Sequence, residues 1–192
     1  MEIRSVCVYC ASSSTAPGWL TEEIQEFGMG LASRGWRLVY GGASVGVMGA
    51  LADSVLSSGG QVLGVIPRAL IGREIAHPGV TEMKIVETMH ERKAEMFKAS
   101  DAFVAFPGGF GTMEEFFEML TWKQMGIHSK PIVFVNSHGF YDPLMAQFER
   151  GIADGIIRKD ARILYSLAEK GSQVFNVLED STILNRQPGK WY

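Results

Sequence analysis

The stretch "DAFVAFPGGFGTMEEF", residues 101–116, runs from an almost uniformly apolar segment through a glycine-rich turn into an acidic segment. A short apolar run without alternation is typical of a strand buried on both faces, as strands of parallel sheets are. The acidic segment after the glycines has apolar residues at helical spacing. The stretch therefore predicts a strand, a tight turn and a helix of an α/β protein.

The same order repeats over the rest of the chain. Further apolar runs lie at 4–10, 36–42, 60–67, 83–88 and 130–136. Helical patterns lie between and after them, at 18–34, 46–58, 90–99, 112–126 and 140–153. A short strand near 163–165 and a helix near 169–179 follow. This order predicts one α/β domain over residues 1–180, with a polar tail at 181–192. Its doubly wound, mainly parallel sheet has about six to seven strands, with helices on both faces.

Composition narrows the class of protein. The 192 residues are 46% apolar and 20% charged, with a formal net charge of −3. This charge provides no general attraction to nucleic acid or to anionic membranes. The chain shows no signal-peptide pattern and no apolar stretch of about 20 residues that would span a membrane. We expect a cytoplasmic protein without nucleic-acid or membrane partners.

Two cysteines, Cys7 and Cys10, form a C-x-x-C pattern within the first predicted strand. Residues three apart on a strand point to opposite faces, whereas a redox pair needs a thiolate at a helix N-terminus. Buried, inert thiols are favoured over a redox pair or a zinc site. The four histidines show no paired metal-ligand spacing, so no metal site is expected.

In a parallel sheet every strand-to-helix turn lies at the carboxyl edge, where open α/β sheets bind ligands. One such turn, "YGGASVG", contains Gly41, Gly42 and Gly46. It is either a phosphate-binding turn or a tight structural turn, since the acidic ribose contact of dinucleotide sites is missing. Ser12, Ser13 and Ser14 follow the first strand and are candidate hydroxyl donors to a ligand.

The turn "PGGFGT", residues 107–112, gives the stronger signal. Gly108, Gly109 and Gly111 leave a run of backbone amides open to an anion. Thr112 is placed to be the N-cap of the following helix and to donate its hydroxyl to a phosphate. No Lys follows in the pattern of a P-loop, so hydrolysis of a magnesium nucleoside triphosphate is not indicated.

Glu115 has two interpretations. The sequence T-x-x-E from Thr112 fits a capping box, in which Glu115 bonds back to the Thr112 amide. Alternatively, Glu115 contacts a sugar attached to the phosphate. The predicted buried face of this helix is Met113, Phe116, Phe117 and Leu120, and another face, solvated or between subunits, carries Glu114, Glu118 and Thr121.

"MHERK", residues 89–93, places Arg92 and Lys93 in the first turn of a helix, where the helix dipole disfavours cations. One explanation is surface pairing of Arg92 with Glu95, and of Glu95 with Lys98. The other is an anionic ligand that offsets the cost. A glycine cradle, a carboxylate and an arginine together suit a phosphorylated sugar.

"PGGFGTMEE" and the preceding "MHERK" resemble the paired motifs P-G-G-x-G-T-x-x-E and M-H-x-R-K of the LONELY GUY (LOG) family, and the resemblance extends over about residues 4–180. These proteins are cytokinin riboside 5′-monophosphate phosphoribohydrolases, often mislabelled possible lysine decarboxylases. The resemblance implies a Rossmann-like fold, at least a homodimer, and hydrolysis of the N-glycosidic bond of a nucleoside 5′-monophosphate, AMP included, without a cofactor.

The resemblance also implies site residues. Arg92 and Glu115 would be the catalytic pair. The substrate-binding positions would be Glu74, Lys93, Gly108, Gly109, Phe110, Gly111, Thr112, Met113, Glu114 and Thr121, to which the turns after the first two strands add Gly42 and Ser13. The chain departs from the family pattern at "YCASSS" and at Phe106 and Phe110, which bear on base preference and loop packing.

Two other functions fit the same fold. Molybdenum-cofactor carrier proteins resemble this scaffold and bind without hydrolysis, so a non-catalytic nucleotide or cofactor carrier is the main alternative. Arg92 and Glu115 in complete motifs favour the enzyme. An NAD-dependent oxidoreductase is disfavoured because the ribose-binding acid is missing.

Overall fold

The computed structural model describes residues 2–71 and 76–180. Within these ranges, seven strands alternate with helices along the chain. The strands are β1 (Ser5–Tyr9), β2 (Arg37–Tyr40), β3 (Val62–Pro67), β4 (Glu82–Val86), β5 (Ala102–Ala105), β6 (Ile132–Val135) and β7 (Ser166–Ala168). The α-helices are α1 (Gly18–Ser33), α2 (Gly46–Ser57), α3 (Met89–Lys98), α4 (Phe110–Gln124), α5 (Asp142–Ala153) and α6 (Gly171–Glu179).

The strands form one parallel sheet in the order β4-β3-β2-β1-β5-β6-β7. The predicted doubly wound α/β domain is therefore confirmed. β1 lies at the centre, where Val6 pairs with Leu38 of β2 on one side and with Ala102 of β5 on the other. The winding direction reverses between β1 and β5, and the carboxyl ends of strands at such a reversal border a crevice.

Helices cover both faces of the sheet and bury two apolar cores. Alternate residues of β1 enter opposite cores: Val6 and Val8 pack with α1, α2 and α6, whereas Cys7 and Tyr9 pack with α3, α4 and α5. The inner strands β1, β2, β3, β5 and β6 are nearly continuously buried because both of their faces are covered, as the sequence predicts. The edge strand β4 departs from this prediction, since Glu82, Lys84 and Ile85 are exposed. No helix in the described ranges combines the length and the apolar character needed to cross a bilayer.

Several predicted boundaries are wrong near the carboxyl-terminal end. Residues 159–164 form a 3₁₀ segment, and the strand expected at 163–165 lies at Ser166–Ala168. Ala161 and Leu164 are buried at the i, i+3 spacing of that segment. The α4 helix ends at Gln124 because Gly126 adopts a positive φ of 74°. The tail 181–192 lies outside the described residues.

Candidate active site

A cleft of about 290 Å³ opens at the carboxyl edge of the sheet, at the reversal between β1 and β5. Segments that are far apart in the sequence meet there because all strands run in one direction. Its described lining residues are Val8, Tyr9, Cys10, Ser12, Gly41, Met48, Leu70, Met89, Arg92, Gly109, Phe110, Gly111, Thr112, Glu114 and Glu115. The cleft combines an apolar wall, a glycine turn and one buried pair of opposite charges.

The glycine turn becomes the N-terminus of α4, which starts two residues earlier than predicted. Gly109, in extended conformation, is the N-cap, and the amide of Met113 donates to its carbonyl at 3.1 Å. The amides of residues 110–112 precede this first intrahelical bond, as at any helix start. Thr112 is the third helical residue, so the predicted Thr112 N-cap and its capping box are wrong. A glycine cap adds no side chain of its own beside the cleft.

Gly108 and Gly111 differ in what surrounds them. A Cβ added at Gly108 would lie 2.1 Å from Oγ1 of Thr112, so the buried threonine packs directly on this glycine. A Cβ at Gly109 or Gly111 meets no atom within 4 Å, because these two glycines border the cleft. Gly108 is required for internal packing, whereas Gly109 and Gly111 leave room for a ligand.

Arg92 is the buried cation of the site, with only 5% of its surface exposed. Its Nη2 donates to the carbonyl of Gly41 at 3.0 Å, and its Nε lies 3.9 Å from Oε1 of Glu115. A Cβ at Gly41 would lie 2.0 Å from Nη2, so only glycine leaves space for the guanidinium. The Glu115 side chain is 12% exposed, and the pair therefore interacts in a poorly solvated setting where charges act strongly on each other.

Lys93, next in sequence, is not among the described lining residues of the cleft, and it binds carboxylates of α4 instead. Its buried ammonium donates to Glu114 and lies 3.2 Å from Oε1 of Glu118. Burial opposes the charged form, but the hydrogen bonds to these two carboxylates outweigh it and raise the pKa of Lys93. Of the surface pairs given as one explanation, Glu95 with Lys98 is confirmed, and Glu95 also binds Lys84. The pairing of Arg92 with Glu95 is wrong, because the Arg92 side chain is buried beside Glu115.

The two cysteines lie in opposite cores and are free thiols, as predicted. Burial raises the pKa of Cys7 to about 12 and also raises that of Cys10. Thiols with raised pKa values are protonated near neutral pH and are poor nucleophiles. Within residues 2–71 and 76–180, no group of His, Cys, Asp and Glu side chains is arranged to hold a metal ion.

The buried face of α4 is Thr112, Phe116, Met119 and Lys123, which corrects the predicted stripe. Of that stripe only Phe116 is fully buried, because Phe117 and Leu120 instead border an apolar groove of about 160 Å³ with Phe148. Thr121 also borders this groove and is exposed, apart from the cleft.

The cleft brings together seven of the predicted site residues: Arg92, Gly109, Phe110, Gly111, Thr112, Glu114 and Glu115. Five others lie elsewhere, namely Gly42, Lys93, Gly108, Met113 and Thr121. Ser13 lies in a shallow depression beside Pro107, and the neighbouring Ser12 borders the cleft instead. Gly42, with a φ of 82°, turns the chain against β3. Glu74 lies outside the described residues.

Sequence reasoning missed the apolar side of the cleft. Met48, Leu70 and Met89 line the cleft, and Sδ of Met89 lies 3.9 Å from Nη1 of Arg92. Phe110, which is among the predicted residues, also lines the cleft and is 93% exposed. Met48, Leu70 and Met89 come from three separate elements, and no spacing pattern connects them.

Comparison with known proteins identifies related sequences. A family model described as "Possible lysine decarboxylase" matches residues 48–178. A probable cytokinin riboside 5′-monophosphate phosphoribohydrolase of Oryza sativa subsp. japonica is 49% identical over 92% of this chain and 79% of its own length. A cytokinin riboside 5′-monophosphate phosphoribohydrolase of Arabidopsis thaliana is 43% identical, with coverage of 94% and 86%. The rice enzyme named LOG is 42% identical, with coverage of 92% and 73%.

Solved structures with the same fold are more distant in sequence. The molybdenum cofactor carrier protein of Chlamydomonas reinhardtii superposes with a TM-score of 0.71 at 20% identity, covering 96% of this chain and 100% of its own. A molybdenum cofactor binding protein of Rippkaea orientalis gives a TM-score of 0.69 at 18% identity, with coverage of 93% and 97%. At this level of identity the likeness concerns the fold alone.

Proposed function

The chain belongs to the LOG family of cytokinin riboside 5′-monophosphate phosphoribohydrolases, and on this premise we propose that it hydrolyses the N-glycosidic bond of nucleoside 5′-monophosphates. Cytokinin riboside 5′-monophosphates and AMP are the proposed substrates, and a free base and ribose 5-phosphate are the products. The observation that carries the proposal is the buried Arg92–Glu115 pair beside the open N-terminus of α4, within one cleft.

The N-terminus of α4 is the proposed phosphate site. Helix amides and the helix dipole favour an anion at this position, and Gly109 and Gly111 let it approach the backbone closely. Thr112 faces the same cleft with a hydroxyl donor. Anchoring the 5′-phosphate here uses binding energy remote from the reacting bond to orient the ribose.

Glu115 is the proposed catalytic carboxylate. Cleavage of a glycosidic bond develops oxocarbenium character at the sugar, which a nearby carboxylate stabilises. Glu115 is about one and a half helical turns beyond the start of α4, so it is placed to reach the ribose of a nucleotide whose phosphate lies at the helix end. Arg92 favours the ionised form of Glu115 and holds it in place through its own bond to Gly41.

The phosphate assignment is tested by comparing AMP with adenosine. Without the 5′-phosphate, kcat/KM for release of adenine should fall by at least about 100-fold, since the anchoring energy is lost. Chromatography of free adenine measures both reactions, and isopentenyladenosine with its monophosphate gives a matched second pair. Equal kcat/KM for nucleoside and nucleotide would refute a phosphate site at α4.

Gly111→Ala tests the same cradle from the protein side. Because Gly111 lies inside α4, alanine should raise the free energy of unfolding by up to about 1 kcal/mol. The new methyl group would intrude on the nucleotide phosphate, and we expect KM to rise about tenfold. Thermal melts and steady-state kinetics measure both effects. A stabilised variant with unchanged KM would place the phosphate elsewhere.

We propose that two copies of the chain form a homodimer through the apolar groove beside α4. Phe117, Leu120 and Phe148 border it, and the exposed side chain of Ile156 lies on the same connection as its lining residue Ile157. Thr121 borders the groove, so a second copy seated there would bring this residue to the interface. Light scattering should give twice the chain mass of 21.1 kDa. The cytoplasmic location remains a prediction from the sequence.

A further inference from the structure

Two ion pairs lie side by side between α3 and α4. Arg92 and Lys93 are consecutive on α3, and their partners Glu115 and Glu114 are consecutive on α4. Lys93 also reaches Glu118, one turn further along α4. Among the described residues these contacts place two cations against three carboxylates, and only the Arg92–Glu115 pair has both members in the cleft.

The surroundings of Lys93 do not suit a substrate-binding residue. Its side chain is 7% exposed, its ammonium is held by two carboxylates, and it is absent from the described lining of the cleft. To reach a nucleotide phosphate, the ammonium would have to leave both carboxylates. This geometry differs from the binding role that the family resemblance assigns to Lys93.

We propose that Lys93 is a positioning residue whose contacts with Glu114 and Glu118 fix α3 against α4 and keep these two carboxylates apart from the Arg92–Glu115 pair. We call the contacts of Lys93 with Glu114 and Glu118 the clamp, and its effect on catalysis rests on the proposed function. Without the lysine ammonium, Glu114 and Glu118 would compete with Glu115 for the Arg92 guanidinium. They would also add uncompensated negative charge one residue and one helical turn away from Glu115.

Among the described residues, the charged and titratable groups near Glu115 include Arg92 and Lys93 from α3, Glu114 and Glu118 from α4 itself, and Cys7, Tyr9 and Cys10 from β1. The β1 groups are buried and their pKa values are raised, so they stay neutral in the range where carboxylates titrate. Like charges raise the pKa of a carboxylate. Loss of the lysine charge should therefore raise the pKa of Glu115, and loss of the Glu118 charge should lower it.

The test is a carbon-13 NMR titration of the side-chain carboxyls in wild type, Lys93→Met and Glu118→Gln, with the Glu115 signal assigned from Glu115→Gln. The pKa of Glu115 should rise in Lys93→Met and fall in Glu118→Gln. Lys98→Met is the matched control, because Lys98 is an exposed lysine of the same helix that pairs with Glu95. If Lys93→Met does not fold, Glu118→Gln alone provides the test, and the pKa of Glu115 should fall in this variant.

Kinetics separate positioning from binding. In Lys93→Met we expect kcat for base release to fall about tenfold with little change in KM, and the acid limb of the pH profile to move to higher pH. Lys93→Arg should restore most of the activity because it keeps the charge. An unchanged Glu115 pKa in either charge-removing variant, or a raised KM with unchanged kcat in Lys93→Met, would overturn the inference. Absence of base release by the wild type, with the pKa shifts present, would refute the proposed function and leave the clamp intact.

Discussion

Glu115→Gln is expected to lower kcat for base release by about 100- to 10,000-fold, the range typical of losing a charged catalytic side chain. Glutamine has the same shape and can still accept hydrogen bonds, but it carries no charge to stabilise the oxocarbenium character of the ribose. KM should change little, since the proposed phosphate anchor at α4 is untouched. Chromatography of free base from AMP measures the effect.

Glu82→Gln is the matched control for this variant. Glu82 is an exposed carboxylate of β4 paired with Arg37, remote from the cleft. The control should retain wild-type kinetics, and both variants should keep the wild-type melting temperature within a few degrees. A Glu115→Gln enzyme within about threefold of wild-type kcat would remove Glu115 from the catalytic role.

Arg92→Ala is expected to lower kcat/KM by about 100-fold or more, because a preorganised charge next to the reacting centre is lost. Removing the cation should also raise the pKa of Glu115, so that activity on the acid side is lost at higher pH than in wild type. The pH profile of base release between pH 4 and pH 9 tests this combination.

Two further substitutions define what Arg92 contributes. Arg92→Lys keeps a charge, but one ammonium cannot reproduce the guanidinium that bonds Gly41 and also faces Glu115. We expect partial recovery of kcat/KM in Arg92→Lys. Arg150→Ala, at an exposed arginine of α5, should behave as wild type. Full activity of Arg92→Ala with an unshifted acid limb would contradict the proposed pair.

The sheet was predictable from the sequence because its inner strands, buried on both faces, are nearly uninterrupted apolar runs, whereas the edge strand β4 carries the exposed Glu82 and Lys84. "SVCVY" in β1 is an example, and its parallel neighbours place the following turns at one edge. From that edge, Arg92 and Glu115 follow as candidates for the same site. The order of the strands and helices, together with the two motifs, was enough to predict that these two residues lie in one site.

Other features depend on tertiary contacts that local patterns do not contain. Thr112 fits a capping box by spacing, but Gly109 starts the helix, and the threonine packs on Gly108 instead. Lys93 is adjacent to Arg92 yet pairs with Glu114 and Glu118 rather than with Glu115, which only the packing of α3 on α4 determines. Gly41, required by the Arg92 guanidinium, belonged to a turn that could equally have been structural.

Quantification of both products from one nucleotide tests the proposed activity most directly. Wild-type protein incubated with AMP or isopentenyladenosine monophosphate should release free base and ribose 5-phosphate in equal amounts, over many turnovers per chain. Tight binding of the same nucleotides, with no base released over several hours, would contradict the proposed hydrolysis and favour a nucleotide carrier.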